Sequence, residues 1–161
     1  MQEFWGLAVN DTDDVDAITD ALLTASRSLM AISADSIARV DETITIPQFR
    51  TLLILSKHDP LNLGTLAGLL HVQPSTTGRM IDRLVTAGLI DRRPHPTSRR
   101  ETLAALTARG QTVVEKVITH RRGEIARIVE NMPSPERRGL VRALTAFTAA
   151  CSEPAYLDVD V

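Results

Sequence analysis

The chain has 161 residues, 43% of them hydrophobic and only 3% aromatic, which is enough for one hydrophobic core of Leu, Ile, Val and Ala but not for two independent ones. It has no apolar run of membrane-spanning length, its start Met1-Gln-Glu-Phe-Trp lacks the basic-then-apolar order of an export signal, and its single cysteine, Cys151, excludes an intrachain disulfide framework; a cytoplasmic protein without a membrane partner is expected. The formal charge of −2 conceals an asymmetry, nine acids against two bases over residues 1–47 and seven bases against three acids over 79–109, so the low net charge does not exclude a polyanionic partner.

Residues 10–16 are acidic and suit a helix N-terminus. Ile18, Leu22, Ala25, Leu29, Ile32, Ile37 and Val40 then recur at helical spacing. A helix continued to Val40 is about 40 Å long, more than a small domain covers by itself. Its apolar stripe needs a partner chain or stays wet as an isolated surface helix. Thr45-Ile-Pro-Gln-Phe begins the next helix with a capping residue and a first-turn proline, and presents Phe49, Leu52, Leu53 and Leu55. Lys57-His-Asp-Pro60 breaks it. Asn62 caps a short helix over 63–70, whose Ala67 and Gly68 permit close packing, and His71-Val72-Gln73 supplies a turn.

The following helix has Pro74 at its first position and Gly88 as its stop. Thr77, Met80, Ile81, Leu84 and Val85 share one face, with Ser75, Thr76, Arg79 and Arg83 on the other. Short hydroxyls, free N-terminal N–H groups and a long guanidinium fit a helix tip that enters a DNA major groove; taken alone, the pattern fits an ordinary amphipathic surface helix equally well. Leu89-Ile-Asp-Arg-Arg93 reads as a strand leaving, Glu101 to Leu106 as a strand returning, and Pro94-His-Pro-Thr-Ser-Arg-Arg100 as their connection. Arg92, Arg93, His95, Arg99 and Arg100 make that hairpin cationic, and its two prolines restrict it. A charge run is usually a solvated face; directly after such a helix, it also suits a minor groove or flanking phosphates.

Leu66-Ala67, Val72, Ser75-Thr76, Arg79, Asp82-Arg83-Leu84, Gly88-Leu89-Ile90, Arg92, Pro96, Arg99-Arg100 and Leu106-Thr107 through Gly110 resemble the MarR family of bacterial transcriptional regulators. The likeness is close from about 45 to 110 and otherwise one of helical order. It implies a mainly α fold, a winged helix-turn-helix with a small β wing flanked by N- and C-terminal dimerisation helices. It also implies a homodimer that binds double-stranded DNA at a pseudo-palindromic operator, usually as a repressor released by a small molecule or an oxidant. Ser75, Thr76 and Arg79 fall on the family's groove-facing positions and Arg99 and Arg100 on its wing-tip pair. Gln73, Arg83, Arg93, His95 and Ser98 complete the expected DNA-binding set. Two positions depart from the pattern: Ser98 stands where an Asp commonly precedes the wing-tip arginines, and Gln73, a poorer N-cap than Ser, either lies in solvent or reaches a base.

Thr107 caps a helix to about Glu130, with Val113, Val114, Val117, Ile118, Ile125, Ile128 and Val129 on its apolar side; Asn131-Met-Pro133 ends it. Ser134-Pro135-Glu136 reads as N-cap, N1 and N2 of a last helix through Leu140, Leu144 and Phe147. The tail 154–161 packs on a partner or is loose. The divisions are thus 1–44 and 107–161 for dimerisation and 45–106 for DNA, within one compact domain. His58, His71, His95 and His120 have no metal-ligand spacing and read as surface or turn residues; with no phosphate loop and no hydrolase elbow, neither cofactor nor catalysis is expected. Cys151 reads as a buried helix cysteine before a redox sensor. The family's effector site, between dimerisation helices and winged module, implies Ser26, Met30, Arg50 and Leu53 as pocket residues, where Arg50 pairs with an anionic aromatic acid or simply lies on the surface. The rival reading is a winged-helix protein-interaction module that has lost specific DNA binding, which Ser98 and Gln73 keep open.

Overall fold

The computed structural model describes residues 11–58 and 60–151, with backbone alone for 11–13; the expectations resting on the first residues up to Asn10, on Asp59 and on the tail 154–161 lie outside the described residues. The chain runs α1 (Asp11–Val40), α2 (Ile46–His58), β1 (Leu61–Asn62), α3 (Leu63–Leu70), α4 (Pro74–Thr86), β2 (Ile90–Pro94), β3 (Thr102–Leu106), α5 (Ala108–Asn131) and α6 (Ser134–Ala150). It is a winged helix-turn-helix, α3–α4 followed by the β2–β3 wing, set among long helices.

The centre is α2. Thr45 N–H donates to Gln48 Oε1 (2.8 Å) and Gln48 N–H returns to Thr45 Oγ1 (3.4 Å), a reciprocal cap that starts the helix where the sequence places it. From Thr51 to Leu55 every side chain is buried, so this turn is packed on all sides. Thr51 is tolerated there because its hydroxyl donates to Pro47 O at 3.0 Å. Around α2 lie Leu66 and Leu70 of α3, Ile81 and Leu84 of α4, Ile90, and Val113, Val114 and Val117 of α5.

The short α3 begins where Asn62 Oδ1 accepts from Thr65 N–H (2.8 Å). It stops because His71 turns left-handed (φ 53°) and Val72 N–H donates to Ala67 O at 3.1 Å. The same device ends α4: Gly88 has φ 73°, its N–H donates to Val85 O, and Leu89 N–H donates to Leu84 O, both at 2.9 Å. Two successive left-handed stops keep the helix-turn-helix tight.

The sheet is antiparallel in the order β1-β3-β2, with Ile90 opposite Leu106 and Pro94 opposite Thr102. β1 was not anticipated. Two residues, Leu61 and Asn62, pair with Ala104 and Leu103, and a segment that short shows no alternation to read. Its effect is to make β3 central and to seat the first residue of α3 on the wing's base.

The corner between wing and α5 admits only glycine at 110: a Cβ there would lie 2.2 Å from Leu89 O. Thr107 Oγ1 accepts from Gly110 N–H (2.9 Å) and donates to Gly88 O (2.8 Å), while Arg109 Nη1 donates to Ala87 O (3.0 Å). The start of α5 thereby satisfies carbonyls at the end of α4, joining the two rigidly.

α6 starts one residue earlier than expected. Ser134 is its first helical residue rather than its N-cap, and its hydroxyl accepts from the Arg137 guanidinium (3.1 Å) instead of a backbone N–H. No residue of α6 is buried, and along α1 Val15, Ile18, Leu23 and Met30 are exposed. His120 also departs from the surface placement: half-buried on α5, it meets the fully buried Ser36 of α1 through Nδ1 at 3.1 Å.

Candidate nucleic-acid interface

α4 buries Thr77, Ile81 and Leu84 and leaves Ser75, Thr76, Arg79 and Arg83 exposed, so its two faces divide as the periodicity requires. Burying a leucine-sized side chain is worth roughly 1.5–3 kcal/mol, and this inner face anchors the helix while the outer one stays free. There is no acid in its first turn. Gln73 occupies the N-cap position with no side-chain capping bond, and its exposed amide is available to something outside the chain. Arg79 Nε reaches back to Ser75 O (3.4 Å), which lays the guanidinium along the N-terminal half of the helix. Arg79 and Arg83 repel each other at i, i+4, a small cost that binding an anion would reverse.

In the wing, the four arginines divide into one strut and three free groups. Arg92 is ion-paired with Asp82 of α4, which ties the hairpin to the helix it flanks. For an exposed pair the stabilisation is about 0–1 kcal/mol; its use is orientation. Arg93, Arg99 and Arg100 are exposed and, like Arg79 and Arg83, have no carboxylate partner among the described residues. Ser98 is half-buried and His95 sits within the loop, where its ring accepts backbone N–H groups.

The four residues implied for an effector are not gathered. Met30 is 63% exposed, Ser26 is exposed with its hydroxyl on Leu23 O (2.8 Å), Arg50 is half-buried, and Leu53 is sealed in the core. A cleft of about 390 Å³ lies instead between the start of α2 and the outer face of α4, lined by Thr45, Pro47, Gln48, Thr76, Arg79, Met80 and Arg83. Sequence reasoning missed Thr45, Gln48 and Met80 as site residues because their nearness to Arg79 and Arg83 is tertiary. The only sequence signal is the pair of unneutralised arginines one turn apart. Cys151 is half-buried at the C-cap of α6, its thiol on Phe147 O (3.4 Å). No described helix is long and apolar enough to cross a membrane.

A capped helix-turn-helix, a wing strutted to it, and five exposed guanidiniums without a carboxylate partner among the described residues define a winged-helix protein of the nucleic-acid-binding type. The MarR family model matches residues 44–102. The chain is 31% identical over 93 residues to the uncharacterized HTH-type transcriptional regulator YsmB of Bacillus subtilis, a match spanning 58% of this chain and 64% of that one. It is 30% identical over 101 residues to the HTH-type transcriptional repressor Rv2887 of Mycobacterium tuberculosis, spanning 63% of this chain and 73% of the relative. The crystal structure of Rv1404 from Mycobacterium tuberculosis superposes with a TM-score of 0.81 at 75% identity, covering 86% of this chain and 95% of that one. The chain belongs to the MarR family of winged-helix transcriptional regulators.

Proposed function

We propose that this regulator acts as a homodimer that binds a pseudo-palindromic operator on double-stranded DNA and represses until a small molecule relieves it. The observation that carries this reading is the cluster of exposed, unpaired guanidiniums, Arg79 and Arg83 on α4 and Arg93, Arg99 and Arg100 on the wing, beside the hydroxyls of Ser75 and Thr76. In the proposed complex the first turn of α4 enters the major groove, where Arg79 suits guanine O6 and N7 and Gln73 suits an adenine edge. Ser75 and Thr76 hold phosphates, and Arg99 and Arg100 take the flanking minor groove or backbone. The repressor name of a relative supports repression as the outcome.

The dimer follows from surface the chain does not cover. Val141, Leu144 and Phe147 on α6, Ile128 on α5 and Ile18 and Leu23 on α1 are exposed, and Arg121 of α5 has a buried Nε without a hydrogen-bond partner among the described residues, its guanidinium pKa lowered by burial. We assign 1–44 and 107–161 to that interface and 45–106 to DNA. Two copies related by a two-fold axis would present their α4 helices about one helical turn, roughly 10 bp, apart.

Relief is proposed to use the cleft beside α4. An anionic aromatic effector there would meet Arg79 and Arg83, the same guanidiniums that face DNA, and so bind the DNA-free state better. The pocket expected around Ser26, Met30, Arg50 and Leu53 would need the second chain to close it.

Selection from a random DNA pool with the purified protein, followed by titration of the winner at two salt concentrations, tests this reading. The expected result is a two-fold-symmetric motif bound tightly and weakened steeply by salt, because phosphate contacts release counterions. No preference over random DNA at moderate salt would instead favour a protein-interaction module.

A further inference from the structure

His95 stands between Pro94 and Pro96 where β2 ends. Its backbone N–H donates to Glu101 O at 3.2 Å and closes the hairpin. Its ring Nδ1 accepts the N–H groups of Thr97 and Ser98, both at 3.2 Å, and lies 3.3 Å from Thr97 Oγ1. Nε2 lies 3.9 Å from Glu101 Oε2, and the side chain is 28% exposed. Nδ1 therefore serves as the acceptor for both backbone donors. Prolines on either side restrict φ and remove donors. The first two N–H groups after them are the ones the ring gathers, and Arg99 and Arg100 come next.

We infer that His95 is the positioning residue of the wing: its ring Nδ1 holds the Thr97–Ser98 backbone and thereby aims Arg99 and Arg100, and losing Nδ1 as an acceptor releases them. The inference rests on the proposed DNA-binding role of the wing. It differs from a direct contact by His95 in what can replace the ring: a positioning residue needs only an acceptor where Nδ1 stands.

The test compares wild type with His95→Ala, His95→Asn and His95→Gln, using the duplex that wild type selects from a random pool. Asn places an acceptor where Nδ1 stands and does not titrate; the amide oxygen of Gln falls near Nε2. His95→Ala should lose about tenfold in affinity on every probe, the cost of ordering one or two loop residues during binding. His95→Asn should stay within about twofold of wild type while His95→Gln behaves like Ala. Wild-type affinity in His95→Ala, or equal behaviour of the Asn and Gln variants, would each overturn the inference. If wild type itself selects no DNA, the DNA-binding reading fails, and positioning is then decided on the free protein by nitrogen NMR. An unprotonated Nδ1, with Thr97 and Ser98 amides protected in wild type and His95→Asn but not in His95→Ala, supports it; a protonated Nδ1 or unprotected amides overturn it.

Discussion

Between α2 and β3 most large apolar side chains are sealed: Leu52, Leu55, Leu66, Leu84, Leu89 and Ile90 are each no more than 1% exposed, and only Ile46 and Leu63 at helix starts lie open. On α6, by contrast, Val141 is 79%, Leu144 46% and Phe147 50% exposed, and α1 leaves Val15, Ile18, Leu23 and Met30 in water. The difference separates a module that closes its own core from helices that present half of one. α5 belongs to both. Val113, Val114 and Val117 pack on α2, while Ile128, further along, points outward. Exposed apolar surface of this kind is a feature of surfaces that bind another chain, and the division tells where a substitution tests the proposed assembly without touching the fold.

The sharpest break is Leu144→Glu combined with Phe147→Glu. Each copy would bring two charges into the proposed interface, so dimerisation should weaken by about 4 kcal/mol, near a thousandfold, while helical content persists. Sedimentation at micromolar concentration reads this directly, and an unchanged mass would remove α6 from the interface. Gly110→Ala tests the opposite half. Its Cβ would press on Leu89 O, a backbone atom that cannot step aside, so the α4–α5 corner must open at a cost of roughly 3 kcal/mol. The urea midpoint should fall accordingly; a loss below about 1 kcal/mol would show the corner to be pliable.

On the outward face of the closed module the effects fall on DNA rather than stability. Arg79→Ala should relax base preference and cost about 1–3 kcal/mol on the selected site if the guanidinium reads a guanine. Arg99→Ala should cost about 1 kcal/mol, either evenly across sequences for a phosphate contact or selectively on A·T-rich flanks for the minor groove. Competition between selected and random duplexes distinguishes these, and wild-type specificity in Arg79→Ala would strike it from the base-reading set.

The same division explains what was legible in the sequence. Where structure is made by neighbours in the chain, the residues announce it. Asn62 begins α3, Pro74 and Gly88 bracket α4, Thr107 opens α5, and the polar face of α4 emerges from a 3.6-residue period alone. Where structure is made by distant pairs, nothing local marks it. β1 is two residues defined only by β3, and the Ser36–His120 contact joins positions 84 apart. The cleft beside α4 depends on how α2 lies against it. For Ser134, the serine-proline-acid order suited an N-cap, yet Arg137 two positions past the proline engages the hydroxyl instead. The outward polar face of α4 was legible, but the hydrogen bonds from Thr97 and Ser98 to the His95 ring were not, because they depend on where the loop's own N–H groups point.

The smallest effect lies at the hinge between the two halves, where α1 gives way to α2. Asp41 Oδ1 accepts from Thr43 Oγ1 (2.6 Å) and Thr43 N–H (2.9 Å). These bonds hold its carboxyl below the usual range, the Thr43 hydroxyl contributing most; slight burial opposes them and the Arg109 charge of α5 adds to them. A carboxylate with a depressed folded pKa stabilises the fold above its unfolded pKa, about 3.9, and that contribution disappears as pH falls through the folded value. Asp41→Asn keeps an acceptor for both bonds and removes only the charge. With the group largely open to solvent, the loss near neutrality should be about 0.5 kcal/mol. Urea unfolding of variant and wild type between about pH 7 and pH 3 should therefore give curves that converge in acid. A gap that persists unchanged at the acidic end would mean that the Asp41 charge does not stabilise the turn joining α1 to the winged module.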